Sequence, residues 1–207
     1  MTISHTPTPA RSDLDPGAAR TSRPAQRPFA RHGLGLSAGA LLWAGAFLLF
    51  GPNQTEPLDL AFFGLMSGAF QLGLLALLRV LWRTQALGEG RIARAALRVE
   101  AVFVSLAICS TFVDAIRVSD LSQPGWILLD AFWPFSMLGM FFIGIRIAVA
   151  GRWKGLSRFW PLVAESWAVV VIPTMGIFGE DVAGYVAALH LVVGYTVLGV
   201  LVSRKEG

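Results

Sequence analysis

From residue 33 onward the chain alternates long apolar blocks with short polar gaps, and the blocks fall at 33–51, 58–82, 95–118, 125–150, 159–178 and 182–202. Each block is near or above the roughly 20 residues that cross a 30 Å hydrocarbon layer at 1.5 Å per residue. The stretch 130–166, DAFWPFSMLGMFFIGIRIAVAGRWKGLSRFWPLVAES, shows the repeating unit: an apolar run, a short basic turn and the start of the next run. Turn-forming groups separate the blocks, namely Gly51-Pro52, Gly88-Glu89-Gly90, Gln123-Pro124-Gly125, the glycine-bounded 151–155 and Gly179-Glu180-Asp181. The pattern predicts an all-α polytopic membrane protein, a bundle of six transmembrane helices, preceded by a tail over residues 1–32.

The charges orient that bundle. Of 17 basic residues, five lie in the tail, five around the second connection, four around the fourth and two at the C-terminus. Only Arg117 falls on the other side. Basic loops stay in the cytoplasm, so an N-in/C-in topology is expected, and losing or adding one span would scatter the charges over both faces. The opposite connections are short and neutral or acidic, with Glu56, Asp120, Glu180 and Asp181. No connection is long enough to hold a soluble catalytic domain.

Composition agrees with lipid as the solvent: 55% of residues are hydrophobic and 14% charged, where a soluble domain carries about a quarter charged residues. The net charge of +4 does not point to nucleic acid, because the arginines flank apolar runs. Anionic headgroups at the cytoplasmic face of the bilayer are their expected partners. Cys109 is the only cysteine, which excludes an internal disulfide and a multi-thiolate metal site.

The tail holds Pro7, Pro9, Pro16, Pro24 and Pro28 with five arginines and almost no aliphatic side chains. It is expected to be disordered. The prolines, Asp13 and Asp15 disfavour an amphipathic transit helix, and the first apolar run starts too late and is too long for a cleaved signal peptide.

Ionisable groups inside the blocks are the candidate chemistry. Asp130, Asp114 and His190 fall in the outer half of their spans, with Arg117 three residues beyond Asp114 on one helical face. They form either an outward-facing proton or cation path, or a set of local pairs near the headgroups. Glu165 lies deeper from the inner side, roughly 10 Å in, where an unpaired carboxylate costs several kcal/mol or takes up a proton. Arg146 stands at a comparable level across a short turn, and an Arg146–Glu165 ion pair is expected to fix that hairpin, with a substrate-binding acid as the alternative. Arg98, Glu100 and Arg79 are expected to do the same between the second and third spans. Asp59, Arg79 and Glu100 loosely echo Asp130, Arg146 and Glu165, as in a duplicated two-helix unit.

Pro161 is read in a first helical turn, and Pro134 and Pro173 as kinks. Gly35 to Gly39 and Gly64 to Gly68 are two GxxxG spacings, suggesting close packing of the first two helices. Trp82, Trp126, Trp153 and Trp160 stand near the predicted interfaces. Arg91, Arg94 and Arg98 share one helical face suited to anchoring on anionic lipid.

With one histidine in a span there is no bis-histidine haem site. There is no phosphate-binding glycine loop, no G-x-S-x-G elbow, no HExxH and no paired-aspartate motif. No catalytic residue, cofactor or metal is therefore assigned. Three function classes remain, in this order: a non-enzymatic assembly or regulatory membrane component, acting as a homo-oligomer or on another membrane protein; a small transporter or permease coupled to protons through Glu165 or Asp130; and an intramembrane enzyme. Residue usage rich in Ala, Gly and Arg suggests a bacterial plasma membrane.

Overall fold

The computed structural model describes residues 27–120 and 122–205, all helical or irregular, with no strand among them. Residues 1–26 of the expected disordered tail lie outside the described residues. The remainder of that tail is shorter than expected, because the first helix already begins at Ala30.

The helices are α1 Ala30–Phe50, α2 Pro57–Arg83, α3 Arg91–Ala115, α4 Pro124–Ala150, α5 Leu156–Glu165, α6 Trp167–Phe178, α7 Glu180–His190 and α8 Val197–Ser203. α5 and α6 make one interrupted rod, and α7 and α8 another, giving six helices long and apolar enough to cross a membrane. Pro57 and Pro124 open α2 and α4 at positions where the missing N–H costs nothing. Gly151 closes α4 in the left-handed region with φ 61°, its N–H donating to the Ile147 carbonyl. Before α4, the Asp120 carboxylate accepts from the Ser122 hydroxyl and amide and from the Gln123 side chain, and these bonds hold its carboxyl below the usual aspartate range.

The expected spans are matched to within about four residues, but two internal features were not expected. The fifth rod breaks at Ser166, whose hydroxyl donates to the Val163 carbonyl at 2.8 Å and so competes with the backbone ladder. Pro161 is not in a first turn: α5 starts five residues before it, so the proline removes a ladder bond inside the helix. The sixth rod widens to a π-helical stretch at Leu191–Thr196. Its displaced carbonyls are taken by side chains from other helices: Ser37 Oγ donates to Thr196 at 2.8 Å, and Trp160 Nε1 donates to Gly194 at 3.0 Å.

The rods close into an antiparallel ring in which α1 packs on α2 and on α8, α2 on α3, α3 on α4, α4 on α5, and α5 on the π stretch and α8. Contacts at the two ends fix this alternation. Trp153 Nε1 donates to Thr84 Oγ1 at 3.0 Å at the end that carries the arginines, and Asn53 bonds Glu180 at the other.

Small residues set the closest approaches. A Cβ at Gly39 would meet the Phe70 Cα at 2.7 Å, and one at Gly73 the Leu36 Cα at 2.9 Å, so α1 and α2 do pack backbone to backbone. Of the two expected motifs Gly39 alone makes this contact, with Gly73 opposite, since Gly35 and Gly68 face open space and Gly64 faces Ala115 of α3. Trp153 also departs from the expected surface belt: it is buried, with Lys205 Nζ 4.4 Å from its ring centre, and the partial burial of that lysine lowers its pKa.

The core is aromatic at its centre. Trp43 of α1 stacks on Phe70 of α2 at 5.0 Å and on Trp167 of α6 at 5.6 Å, and meets Trp133 of α4 edge-on at 5.5 Å. Phe70 in turn meets Tyr195 of the π stretch at 4.8 Å. Five rods thus converge on one layer of rings.

Candidate functional site

Two glutamates bury themselves in this bundle at one depth. Glu100 is the tenth residue of α3 and Glu165 the tenth of α5, which places each about 14 Å along its helix from the arginine-bearing end. They are 3% and 2% exposed. Tyr195, eight residues from the end of α8, lies at nearly the same level, about 12 Å in. Its hydroxyl donates to Glu165 Oε2 at 2.6 Å, a short bond.

The π stretch makes this bond possible. Gly194 lets the strand of helix approach α5 so closely that a Cβ there would lie 3.0 Å from the Ala164 Cα, and Tyr195 next to it then reaches Glu165. On the other side Glu100 Oε2 is pressed against Gly139 of α4, in space that only a glycine leaves open.

The pair is only half satisfied. Oε1 of Glu100 and Oε1 of Glu165 are buried without a hydrogen-bond partner among the described residues. The same holds in the aromatic layer for Trp43 Nε1 and Trp167 Nε1, and just beyond it for Gln71 Oε1. Each such group costs about 1–3 kcal/mol when left unpaired, so these positions are where a bound water, proton or ligand group would be taken up.

Cavities flank the layer. Toward the arginine-bearing end, α3 and α4 splay around a groove of about 900 Å³, with Glu100 and Gly139 in its wall and Arg91 and Arg146 at its mouth. Toward the opposite end a smaller hollow of about 220 Å³ is lined by Asp114, Asp130, Ser110, Thr111 and Gln71. There Ser110 Oγ donates to Asp130 Oδ1 at 3.5 Å and Gln71 Nε2 to Thr111 Oγ1 at 2.7 Å.

Several expected pairings are not formed. The Arg146–Glu165 pair is absent: Arg146 is exposed at the groove mouth, and Glu165 is held by Tyr195. Among the described residues the one ion pair is Arg152 with Glu89, at 2.8 Å. Arg117 does not share a helical face with Asp114, because α3 ends at Ala115 and Arg117 adopts φ 57°, with its amide on the Asp114 carbonyl. Arg98 does not pair with Glu100 but lies 5.1 Å over the Trp82 ring, and Arg79 sits with His32 and Arg83 at the bundle end. His190 separates from the two aspartates and lies 3.1 Å from the Ser166 hydroxyl at the helix break. Asp114 and Asp130 are brought together in the smaller hollow.

Tyr195 was missed in the sequence, although it is one of only two tyrosines, both in the sixth apolar block, and the one nearer the middle of that block. A phenol in a span needs a partner, and that was the available signal. If Glu165 has no charged partner in Arg146, the two sites act independently on stability. Glu165→Gln and Arg146→Gln should then add without coupling, within about 0.5 kcal/mol. A double-mutant cycle on thermal melts in detergent measures this, and a coupling above about 1 kcal/mol would restore the ion pair.

Comparison with protein-family models, with curated proteins and with solved structures gives no match for this chain.

Proposed function

We propose that the chain is a multi-pass transport protein of a bacterial plasma membrane, with both termini cytoplasmic, and that Glu165, Tyr195 and Glu100 carry its coupling proton. The arginine bias of the connections supports the orientation. The observation that carries the mechanism is the pair of buried carboxyls, Glu165 bonded by Tyr195 and Glu100 in the wall of the larger groove, with a second, acid-lined hollow toward the opposite end. A component that only assembles with others has no need of buried acids at one depth, and intramembrane carboxyls usually mark ion or proton relays.

The chemistry follows from the bonds. Tyr195 donates to Oε2 of Glu165, so a proton on that carboxyl resides on Oε1, the atom left free to pass it on. Glu100, at the same depth as Glu165 and forming part of the groove wall, receives or supplies that proton on the cytoplasmic side. Asp130 and Asp114 in the outer hollow serve the other face. Trp43, Trp133 and Trp167 separate the two and prevent a continuous water column.

The test uses full-length protein in liposomes that contain a pH-sensitive dye, with a potassium diffusion potential set by valinomycin. The wild type should acidify or alkalinise the lumen faster than protein-free vesicles. Glu165→Gln, reconstituted at equal density and monodisperse on size exclusion, should lower that rate at least tenfold, about 1.4 kcal/mol or more in barrier. Equal rates for wild type and empty vesicles, or for wild type and Glu165→Gln, would dismiss the proposal.

A further inference from the structure

The groove between α3 and α4 has a chemistry of its own, separate from the buried acids. Its walls are apolar, and Ile92, Val99 and Phe142 along it are 87%, 51% and 59% exposed. In a membrane those surfaces face acyl chains, so the groove opens sideways into the leaflet. Glu100 adds little to that surface, since its side chain is buried behind the wall with Oε2 against Gly139.

At the mouth the balance is positive. Arg91 and Arg146 both line it, and neither has an acid within 4.0 Å among the described residues. The nearest carboxylate at the rim, Glu89, is already engaged by Arg152 at 2.8 Å. Two guanidinium groups above an apolar trench suit a phosphate diester bonded by fork-shaped donors, with a hydrocarbon chain beneath it. From Arg91 to Phe103, both in the lining, α3 rises about 18 Å, enough to cover the roughly 15 Å of one leaflet's hydrocarbon.

We infer that this groove is a specific site for one anionic phospholipid of the inner leaflet, its phosphate held by Arg91 and Arg146 and one acyl chain lying along Val99 and Phe142. The inference rests on the membrane reading above but not on proton coupling. General attraction of a basic face to anionic headgroups spreads over every arginine at the surface. A site predicts that two arginines and the trench matter and the rest do not.

Native mass spectrometry of the full chain, released from detergent micelles doped with equal phosphatidylglycerol and phosphatidylcholine, reads the difference. One phosphatidylglycerol should remain bound at least fivefold more often than phosphatidylcholine. The Arg91→Gln, Arg146→Gln double variant should bring the two to parity, and Val99→Trp, which fills the trench and leaves both charges, should do the same. The Arg79→Gln, Arg83→Gln control, which removes the same charge elsewhere on that end, should change nothing. The site is overturned if the control lowers retention as much as the groove variants, if Val99→Trp retains lipid as the wild type does, or if millimolar inorganic phosphate strips the adduct. The last result would mark a bare anion site with no lipid component. Because the arginine variants alter exposed side chains only, they report even if Val99→Trp fails to fold. Proton flux is not read, so failure here leaves the coupling proposal standing, and failure there leaves this one.

Discussion

Gly199→Leu should leave no folded, monodisperse protein after detergent extraction. α1 and α8 meet through Gly33, Ser37 and Gly199, with nothing between the two backbones. A Cβ at Gly199 would run into the Gly33 carbonyl and the Ser37 hydroxyl, and would lie 2.8 Å from the Ser37 amide nitrogen. From the other side a Cβ at Gly33 would lie 2.8 Å from the Ser203 Cα. Backbone atoms cannot swing away as a side-chain end can, so leucine must push the helices apart. That also breaks the Ser37 hydrogen bond that satisfies the Thr196 carbonyl of the π stretch. Overpacking a core costs about 1–3 kcal/mol where side chains can adjust, and this site offers no such relief. Gly35→Leu is the matched control, because Gly35 has open space around it on the same helix. Size exclusion and thermal melting decide the matter. A Gly199→Leu protein that elutes and melts like Gly35→Leu would show that α1 and α8 are not in contact.

Trp43→Ala is expected to cost about 3–5 kcal/mol, the range for deleting a large buried aromatic. Trp43 is 3% exposed and touches rings on α2, α4 and α6, so its removal opens a void where three neighbouring rods meet α1. Trp43→Phe should recover most of the loss. The same change reports on function: if the ring layer separates the outer hollow from Glu165, Trp43→Ala in liposomes should raise passive proton leak severalfold above wild type. A stable Trp43→Ala protein, losing under about 1 kcal/mol, would displace the aromatic layer from the centre of the bundle. A destabilised but tight one would leave the packing intact and remove the layer's role as a barrier.

The partner of Glu165 shows how far reading along the chain carries. Arg146 is nearby in sequence across a short turn, and an acid at depth calls for a cation, so the pair was the natural expectation. What defeats it is rotation about the helix axes. Arg146 sits near the end of α4 on the exposed side of the groove, while the close approach of Gly194 to Ala164 turns Tyr195 toward Glu165. The internal echo that aligned Glu100 with Glu165 identified two acids that the bundle places at one depth, although the sequence assigned Glu100 to Arg98 and Arg79. His190 was grouped with the aspartates because all three were counted from the outer ends of their spans. Counting residues gives depth but not azimuth, and azimuth places His190 by Ser166.

The sequence alone determined six long apolar helices, their limits to within a turn and the gathering of basic residues at one end. These are properties of each segment against its surroundings: length multiplied by rise, apolar content and the polarity of the flanks. Only the tertiary structure decided the break at Ser166, the widened turn at Leu191–Thr196, the Glu165–Tyr195 bond and the groove beneath Arg91 and Arg146. Each of these depends on which face one helix turns to another, and that is fixed by a few glycine contacts and stacked rings between residues far apart in the chain.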